Sequence, residues 1–535
     1  MSDFVKAAPT FDLIDQPWLP VSRDGEMRDA GLREALLEAH NIDQLRDESP
    51  LVTAASLQLL LAIVHRAIDG PQSFDDWREL WNAGRLPKET VENYLDQWQE
   101  RFDLFHPHHP FLQDASLPID GPASTLDGMN KLLTGTEPIN SLFHHDRSPS
   151  RHTPANPIDP AEAARRLIAL QAFAISGGRG YLQTVRARGL CFQLLGENLF
   201  ETILLNLLPT EIIEDEAVEL AKLGQPNWEL DTPAKAQTRR PRGLLDHLTA
   251  VSRKVRLIPE VDDGKLKVRQ MAFAMGRTIE LADKTSEPFS AYVTDKRRQQ
   301  IGLDLDRAVW RDSEALFHFD REQSQKGTTY HGPATLKFVR ELVHEGIIPD
   351  EMSFRLAVTG LKNTNAKVFA WRYDVLPLPV RYTKGGRLVE FLGEALRLAE
   401  DVALTLQRAA RVVAGESLTF GTRSPDASAV TAMANRLAPD RLYWSRLEEH
   451  FYQFFERLAE IDKQAEHEVY TVALARWVHG PVRRTAWSAF SDAVVPLGSS
   501  ARILKAVHKG RGYPGMKLHK LLESYVEPTS GEHAA

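Results

Sequence analysis

Ile175-Ser176-Gly177-Gly178-Arg179-Gly180-Tyr181 sets three glycines in four positions directly behind Ala161 to Ala174, whose apolar spacing predicts an amphipathic helix. Glycine tolerates positive φ and leaves its backbone N–H uncovered, so such a loop can approach a flat or anionic surface closely. Arg179, inside the run, adds a charge suited to phosphate or to a narrow groove. The same residues also read as a helix C-cap followed by a flexible turn, and the local sequence leaves both readings open. Downstream, Arg186-Ala187-Arg188-Gly189 stays basic. The single cysteine, Cys191, then falls in an apolar run with Leu190, Phe192, Leu194 and Leu195, which reads as core and not as a nucleophile.

Toward the N-terminus, Phe11 to Val21 reads as two short strand pieces broken by Pro17, with a turn at Asp24-Gly25. Helices are predicted over Gly31 to His40, Ser49 to Asp69 and Phe74 to Phe105. In the second, Ser49 is the N-cap, Pro50 opens the helix, and Leu57, Leu60, Leu61 and Val64 form the buried stripe. A long irregular region follows, from His106 through Phe143-His144-His145-Asp146 to Pro160. Loops of that length are functional or disordered.

Toward the C-terminus, a helix is expected over Leu199 to Leu208. Arg253 to Pro259 and Lys265 to Ala274 predict a hairpin turned by Asp262-Asp263-Gly264. Glu287 to Gln299 contains an extended piece ending in Asp295-Lys296-Arg297-Arg298. Pro333 to His344 reads as a helix, and Phe354 to Thr359 with Lys367 to Val375 as strands around a polar tip that holds Asn363-Thr364-Asn365-Ala366. Beyond Pro379 strand signals vanish. Apolar spacing recurs at Leu442, Leu447, Phe451, Phe454, Leu458 and at Val472, Leu474, Trp477, which predicts four helical blocks. The expected fold is therefore α+β: a large mixed α/β domain with short hairpins over 1–380, then a four-helix bundle over 381–535.

A chain of 535 residues with 43% hydrophobic and 26% charged residues has the composition of a soluble multidomain protein. The opening MSDFVKAAPT has no basic segment followed by an apolar core, and Leu57 to Val64 is too short to span a bilayer, so a cytoplasmic protein with no membrane partner is expected. One cysteine excludes internal disulfides and Cys-rich zinc sites. The net charge of −8 argues against a uniformly basic nucleic-acid binder, but the charges are segregated. Nine Lys or Arg stand between Arg476 and Leu522 against one acid, Asp492; they include Arg483, Arg484, Arg502, Lys505, Lys509 and Arg511. Basic faces on an acidic protein fit a subunit that grips a polyanion at defined places; solvated helix faces are the plainer reading.

No nucleophile elbow or Walker loop is present, nor a strand–Gly-x-Gly-x-x-Gly–helix unit. The histidines at 106, 108 and 109 and the set His144-His145-Asp146 are the obvious candidate metal or acid–base groups. They lack the i, i+4 spacing that aims two imidazoles at one ion. No cofactor is expected. A metal-dependent nucleic-acid hydrolase using these loops, and a scaffold that contacts only RNA, remain as rival readings.

The order of the segments resembles a known family. Phe11 to Val21, His109-Pro110-Phe111-Leu112-Gln113, Met129 to Gly135, Phe143, the glycine stretch, Gln225-Pro226-Asn227-Trp228, Pro241 to Thr249 and Arg372-Tyr373-Asp374-Val375-Leu376 resemble the CasA family, the large subunit of the type I-E CRISPR Cascade complex. The resemblance spans essentially the whole chain. It implies a non-catalytic subunit that recognises the protospacer-adjacent motif (PAM) in duplex target DNA and starts strand opening for crRNA pairing. Such a subunit also stabilises the resulting R-loop and provides a docking site for a helicase–nuclease. On this resemblance Ser176, Gly177, Gly178, Arg179 and Gly180 form the glycine loop, Lys296 the groove-contacting lysine, and Thr364, Asn365 and Ala366 the strand-separating wedge. Phe143, His144 and His145 belong to the loop that meets the crRNA 5′ handle, other Cascade subunits are partners, and the basic bundle residues hold DNA. Asn365 stands where the family carries glutamine.

Overall fold

The computed structural model describes residues 9–120, 126–128, 157–176, 181–216, 220–231, 236–283, 285–318, 329–364, 367–419, 424–461 and 465–523. The chain divides into two compact units, Met1–Leu305 with His318–Thr383, and Asp306–Phe317 with Lys384–Ala535. The division expected at 380 leaves out Asp306–Phe317, a short segment that joins the C-terminal unit.

In the first unit, the helix Pro50–Ile68 is the hydrophobic axis. Pro50 and nearly every residue from Leu51 to His65 are buried, because its sequence is apolar on all sides and not on one stripe. By length and composition this helix could cross a membrane, yet most of it lies inside the unit. Ser49 precedes it in extended conformation as expected, but its side chain makes no capping bond. The stretch Phe11 to Val21 differs from expectation. Only Leu19–Arg23 is a strand; Asp12 makes an isolated bridge to Asp103, and the residues between form a turn in which Trp18 Nε1 donates to Leu13 O at 2.8 Å. Pro17 thus ends a turn and does not break a strand.

Two hairpins dominate the sheets. Arg253–Asp262 pairs with Lys265–Met275 across Asp263 and Gly264, both at positive φ (50° and 74°), as a two-residue turn that matches strand twist requires. The second hairpin, Ser353–Thr364 with Lys367–Pro379, is longer than its sequence suggested. Its first strand runs to Thr364 and its second begins at Lys367. Cys191–Leu195 pairs antiparallel with the first strand of this hairpin, Cys191 opposite Thr359, which makes Ser353–Thr364 the central strand. Leu356 through Leu361 are mostly buried on both faces, which explains the continuous small and apolar run there.

The second unit consists of four helical blocks: Arg387–Leu418; Ala427–Leu437 jointed at left-handed Ala438 to Pro439–Glu460; His467–Trp477 continued through a π-turn at Val478–Val482 into Arg483–Val494; and Ala501–Glu523. Pro481 lies in that π-turn, where a missing N–H widens the helix. The buried stripes shift slightly from the expected ones. Tyr443 replaces Leu442 inside, and Tyr470 does so for Val472, which is 39% exposed. Gly510 lets the last helix close on the first: a Cβ there would collide with Val413 Cγ2. Trp310, from the short inserted segment, is 1% exposed and stacks on Phe451 at 4.4 Å between ring centres. Beside it, Arg307 and Arg311 share Glu400 at 2.6 and 2.8 Å.

Candidate nucleic-acid interface

The helix Pro160–Phe173 delivers the chain to the glycine stretch and the structure closes the base of the excursion behind it. Thr184 N donates to Ala174 O at 2.9 Å and Thr184 Oγ1 to Ala172 O at 2.8 Å. Beneath, the buried guanidinium of Arg253 donates through Nη2 to Ile175 O at 2.7 Å and to Leu182 O at 2.8 Å, so one side chain holds both ends. Tyr181 stacks on Phe273 of the first hairpin at 5.7 Å. Ser176 is half-buried at the near end. Gly177, Gly178, Arg179 and Gly180 lie outside the described residues.

From Tyr181 the chain runs into the strand Cys191–Leu195, and that strand assembles the other expected elements. Gln183 Nε2 donates to Asn363 Oδ1 at 3.1 Å, tying the far flank of the glycine stretch to the end of the long hairpin. Leu190 N donates to Ile301 O at 2.8 Å and Phe192 N to Phe289 O at 2.7 Å, docking the segment that carries Lys296. Gly189 allows this approach, since a Cβ there would sit 2.7 Å from Gln300 Cβ. Three elements distant in sequence therefore converge on residues 183–192. Thr364 ends its strand beside them; Asn365 and Ala366 lie outside the described residues.

The Lys296 region is not the end of one extended piece but the turn of a short hairpin, Tyr292–Thr294 with Arg298–Gln300. Lys296 and Arg297 are exposed in that turn. Arg298 is committed elsewhere: its guanidinium covers the Tyr292 ring at 3.8 Å and donates to Thr285 O at 3.0 Å and Ser286 Oγ at 2.5 Å. Of the three consecutive cations, the first two face outward.

A buried ion pair fixes the hairpin to the loop segment. Arg186 Nη2 lies 3.0 Å from Glu287 Oε1, and His247 Nε2 approaches the same oxygen at 3.5 Å. Burial alone would raise the Glu287 carboxyl, but Arg186 and His247 hold it below its ordinary value. Burial keeps His247 low, so the cluster is a neutral imidazole beside a salt bridge. Cys191, behind it, has its thiol pushed up to about 12 by burial and by Glu287, which fits a packing role.

In the second unit, Arg483, Arg484, Arg502, Lys505, Lys509 and Arg511 are all exposed. Arg502, Lys505 and Lys509 follow helical spacing along one face of Ala501–Glu523. Lys509 is paired with Glu416 at 2.7 Å, and Arg511 lies over the Trp487 ring at 5.5 Å.

Among the described residues, His106, His108 and His109 form a turn of their own. His106 Nδ1 accepts from the backbone N–H of His109 at 2.9 Å and of His108 at 3.3 Å, so that nitrogen organises its own turn. No group of three or more His, Cys, Asp or Glu able to hold a metal occurs among the described residues. Phe143, His144 and His145 lie outside them.

Reading the sequence missed Arg253, Gln183 and Glu287. Arg253 looks like an ordinary strand residue, and only the fold reveals that its side chain turns inward beneath a loop more than seventy residues earlier. The signature segments have structural reasons. Trp228 Nε1 donates to Tyr94 OH at 2.8 Å, and Tyr94 OH donates to Glu229 at 2.9 Å; Asp246 accepts from Arg239 at 2.6 and 2.7 Å and from Arg242 N at 2.9 Å. Gln113 bridges Leu104 O and Leu257 N at 2.8 and 2.7 Å.

Comparison with known proteins identifies relatives along nearly the whole chain. The family model described as CRISPR-associated protein Cse1 matches residues 12–489. The CasA/Cse1 protein of Thermus thermophilus is 34% identical over 532 residues, spanning 96% of this chain and 98% of that protein. The crystal structure of Thermus thermophilus CasA matches with a TM-score of 0.76 at 31% identity, over 96% of this chain and 100% of that one. Thermobifida fusca Cse1 matches in fold, with a TM-score of 0.78 at 24% identity, over 97% and 99% of the two chains. Its sequence and its fold place this chain in the CRISPR-associated Cse1 (CasA) family.

Proposed function

We propose that the chain is the large subunit of a type I-E Cascade complex. In this reading it recognises the PAM in duplex DNA, begins strand opening for crRNA pairing and steadies the opened DNA, and it offers a docking site for a helicase–nuclease without chemistry of its own. The observation that carries the reading is the convergence on residues 183–192. The Gln183–Asn363 bond joins the flank of the glycine stretch to the base of the long hairpin, and the hairpin bearing exposed Lys296 is docked on the same segment. The flanks of the glycine stretch, an exposed lysine and the last paired residues of the long hairpin, joined to one segment, suit a device that enters a minor groove and parts its first base pairs.

The groove's edges are degenerate there, so such a device would accept several motifs. Opening costs about 1.4 kcal/mol per base-pair step, which guide pairing roughly balances, so the protein has only to nucleate it. Exposed basic residues of the second unit supply sequence-independent attraction for a displaced strand. The test is co-purification with a crRNA-loaded complex, followed by binding to duplex targets with varied bases flanking the protospacer. Binding that ignores the flanking bases would contradict PAM recognition and favour an RNA-contacting scaffold.

A further inference from the structure

Arg253 is buried at 3% exposure, yet among the described residues no carboxylate pairs with it. Its partners are carbonyls, Ile175 O and Leu182 O from Nη2 and Ser252 O from Nη1 at 2.8 Å, with the Tyr181 ring 5.3 Å away. The other buried arginines described in this unit contrast with it: Arg186 faces Glu287 at 3.0 Å and Arg277 approaches Asp246 at 3.7 Å, as does half-buried Arg239 at 2.6 Å. Each of these has a carboxylate beside it. At Arg253 the fold leaves a full positive charge. Unpaired buried charge is costly, so its retention at this place calls for a reason beyond packing.

The placement is also rigid. Gln171 receives Arg253 N on Oε1 at 2.9 Å and donates from Nε2 to Arg253 O at 2.8 Å, so the stem of the side chain is anchored on both sides. A planar guanidinium with its donors in a fixed fork can bind two carbonyls at a set separation; an ammonium cannot reproduce that geometry. The span that residues 176–181 must bridge is thereby fixed, which lowers the ordering cost of any contact they make.

We infer that Arg253 is a positioning residue for duplex recognition: it pins Ile175 and Leu182, the residues that flank the glycine stretch, and places an uncompensated positive charge between them, so that the phosphate backbone of a DNA strand is drawn toward two fixed anchor points. This rests on the function proposed above. Burial lowers the guanidinium to about 10, which still leaves it charged at neutral pH.

The experiment compares Arg253→Lys and Arg253→Met with the parent in the crRNA-loaded complex. Two targets are used: a duplex, and the same sequence with the PAM-proximal bases already unpaired. Arg253→Lys keeps the charge and loses the fork; it should weaken duplex binding about tenfold, Arg253→Met should weaken it further, and both should bind the pre-opened target within about twofold of the parent. Equal losses on both targets would mean a merely structural role and would overturn the inference, as would no loss on either. If Arg253→Met does not assemble, Arg253→Lys decides, with thermal melting of the isolated chain as the check on folding. The double variant Lys296→Ala/Asn365→Ala runs alongside. If it loses duplex binding selectively and Arg253→Lys does not, only the role of Arg253 fails. If neither variant is selective, the recognition mechanism fails and the inference falls with it.

Discussion

Lys296 and Arg297 stand in solvent at one hairpin turn while Arg298, the next residue, is folded back over Tyr292. Charge counting could not separate the three; pairing register does, because the first two fall in the turn and the third in a strand. Lys296→Ala with Asn365→Ala is expected to weaken duplex binding by about tenfold and to spare a pre-opened target, read by gel shift. A second residue-scale effect is acid sensitivity. His65, in the last turn of the buried helix, shares a hydrogen bond of 2.8 Å with Gly70 O, and burial pulls its pKa from 6.5 down to about 4. The folded state then refuses a proton that the unfolded chain accepts, so stability is intact above pH 6.5 and declines as the pH falls toward 4. The loss amounts to about 3 kcal/mol at most. His65→Asn, whose amide can still donate to Gly70 O, should melt with a visibly smaller difference between pH 7 and pH 5 than the parent.

Elements were legible where their signals are local. The Asp263-Gly264 turn, the helix Pro160–Phe173 and the central strand's apolar run follow from residue type and spacing. What could not be read was which elements meet, because the joints depend on single contacts far apart in sequence: Gln183 with Asn363, Arg186 with Glu287, Gly189 with Gln300. The glycine stretch drew attention by composition, whereas Gly189 did not, though its missing side chain is what admits the Lys296 hairpin. Gly189→Ala should force that hairpin away from the strand Cys191–Leu195, at a cost of about 1–3 kcal/mol in stability by chemical denaturation. Gly510→Val, where two helices of the second unit approach each other closely, should cost at least as much for the same reason.

For the whole molecule, three of the described signature segments act as joints: Trp228, Asp246 and Gln113 all face inward. The basic residues of the second unit make a quantitative claim. Neutralising Arg483, Arg484, Arg502, Lys505 and Arg511 together should flatten the dependence of log affinity on log salt, by roughly 0.7 for each single-strand phosphate that no longer meets a cation. Lys509→Gln alone should change the slope less than Lys505→Gln, because Lys509 is already held by Glu416.

The segment Asp306–Phe317 makes the chain pass from one unit to the other three times. A protease that cuts between Thr383 and Lys384 therefore leaves Asp306–Phe317 on the N-terminal fragment, joined to the rest of its own unit by non-covalent contacts alone. The C-terminal unit also cannot be excised as a continuous piece: a fragment starting at Lys384 lacks the indole that lies against Phe451 and the two guanidiniums around Glu400. Such a fragment should melt early and regain cooperativity when a synthetic peptide spanning 306–317 is added in trans, which differential scanning calorimetry would register.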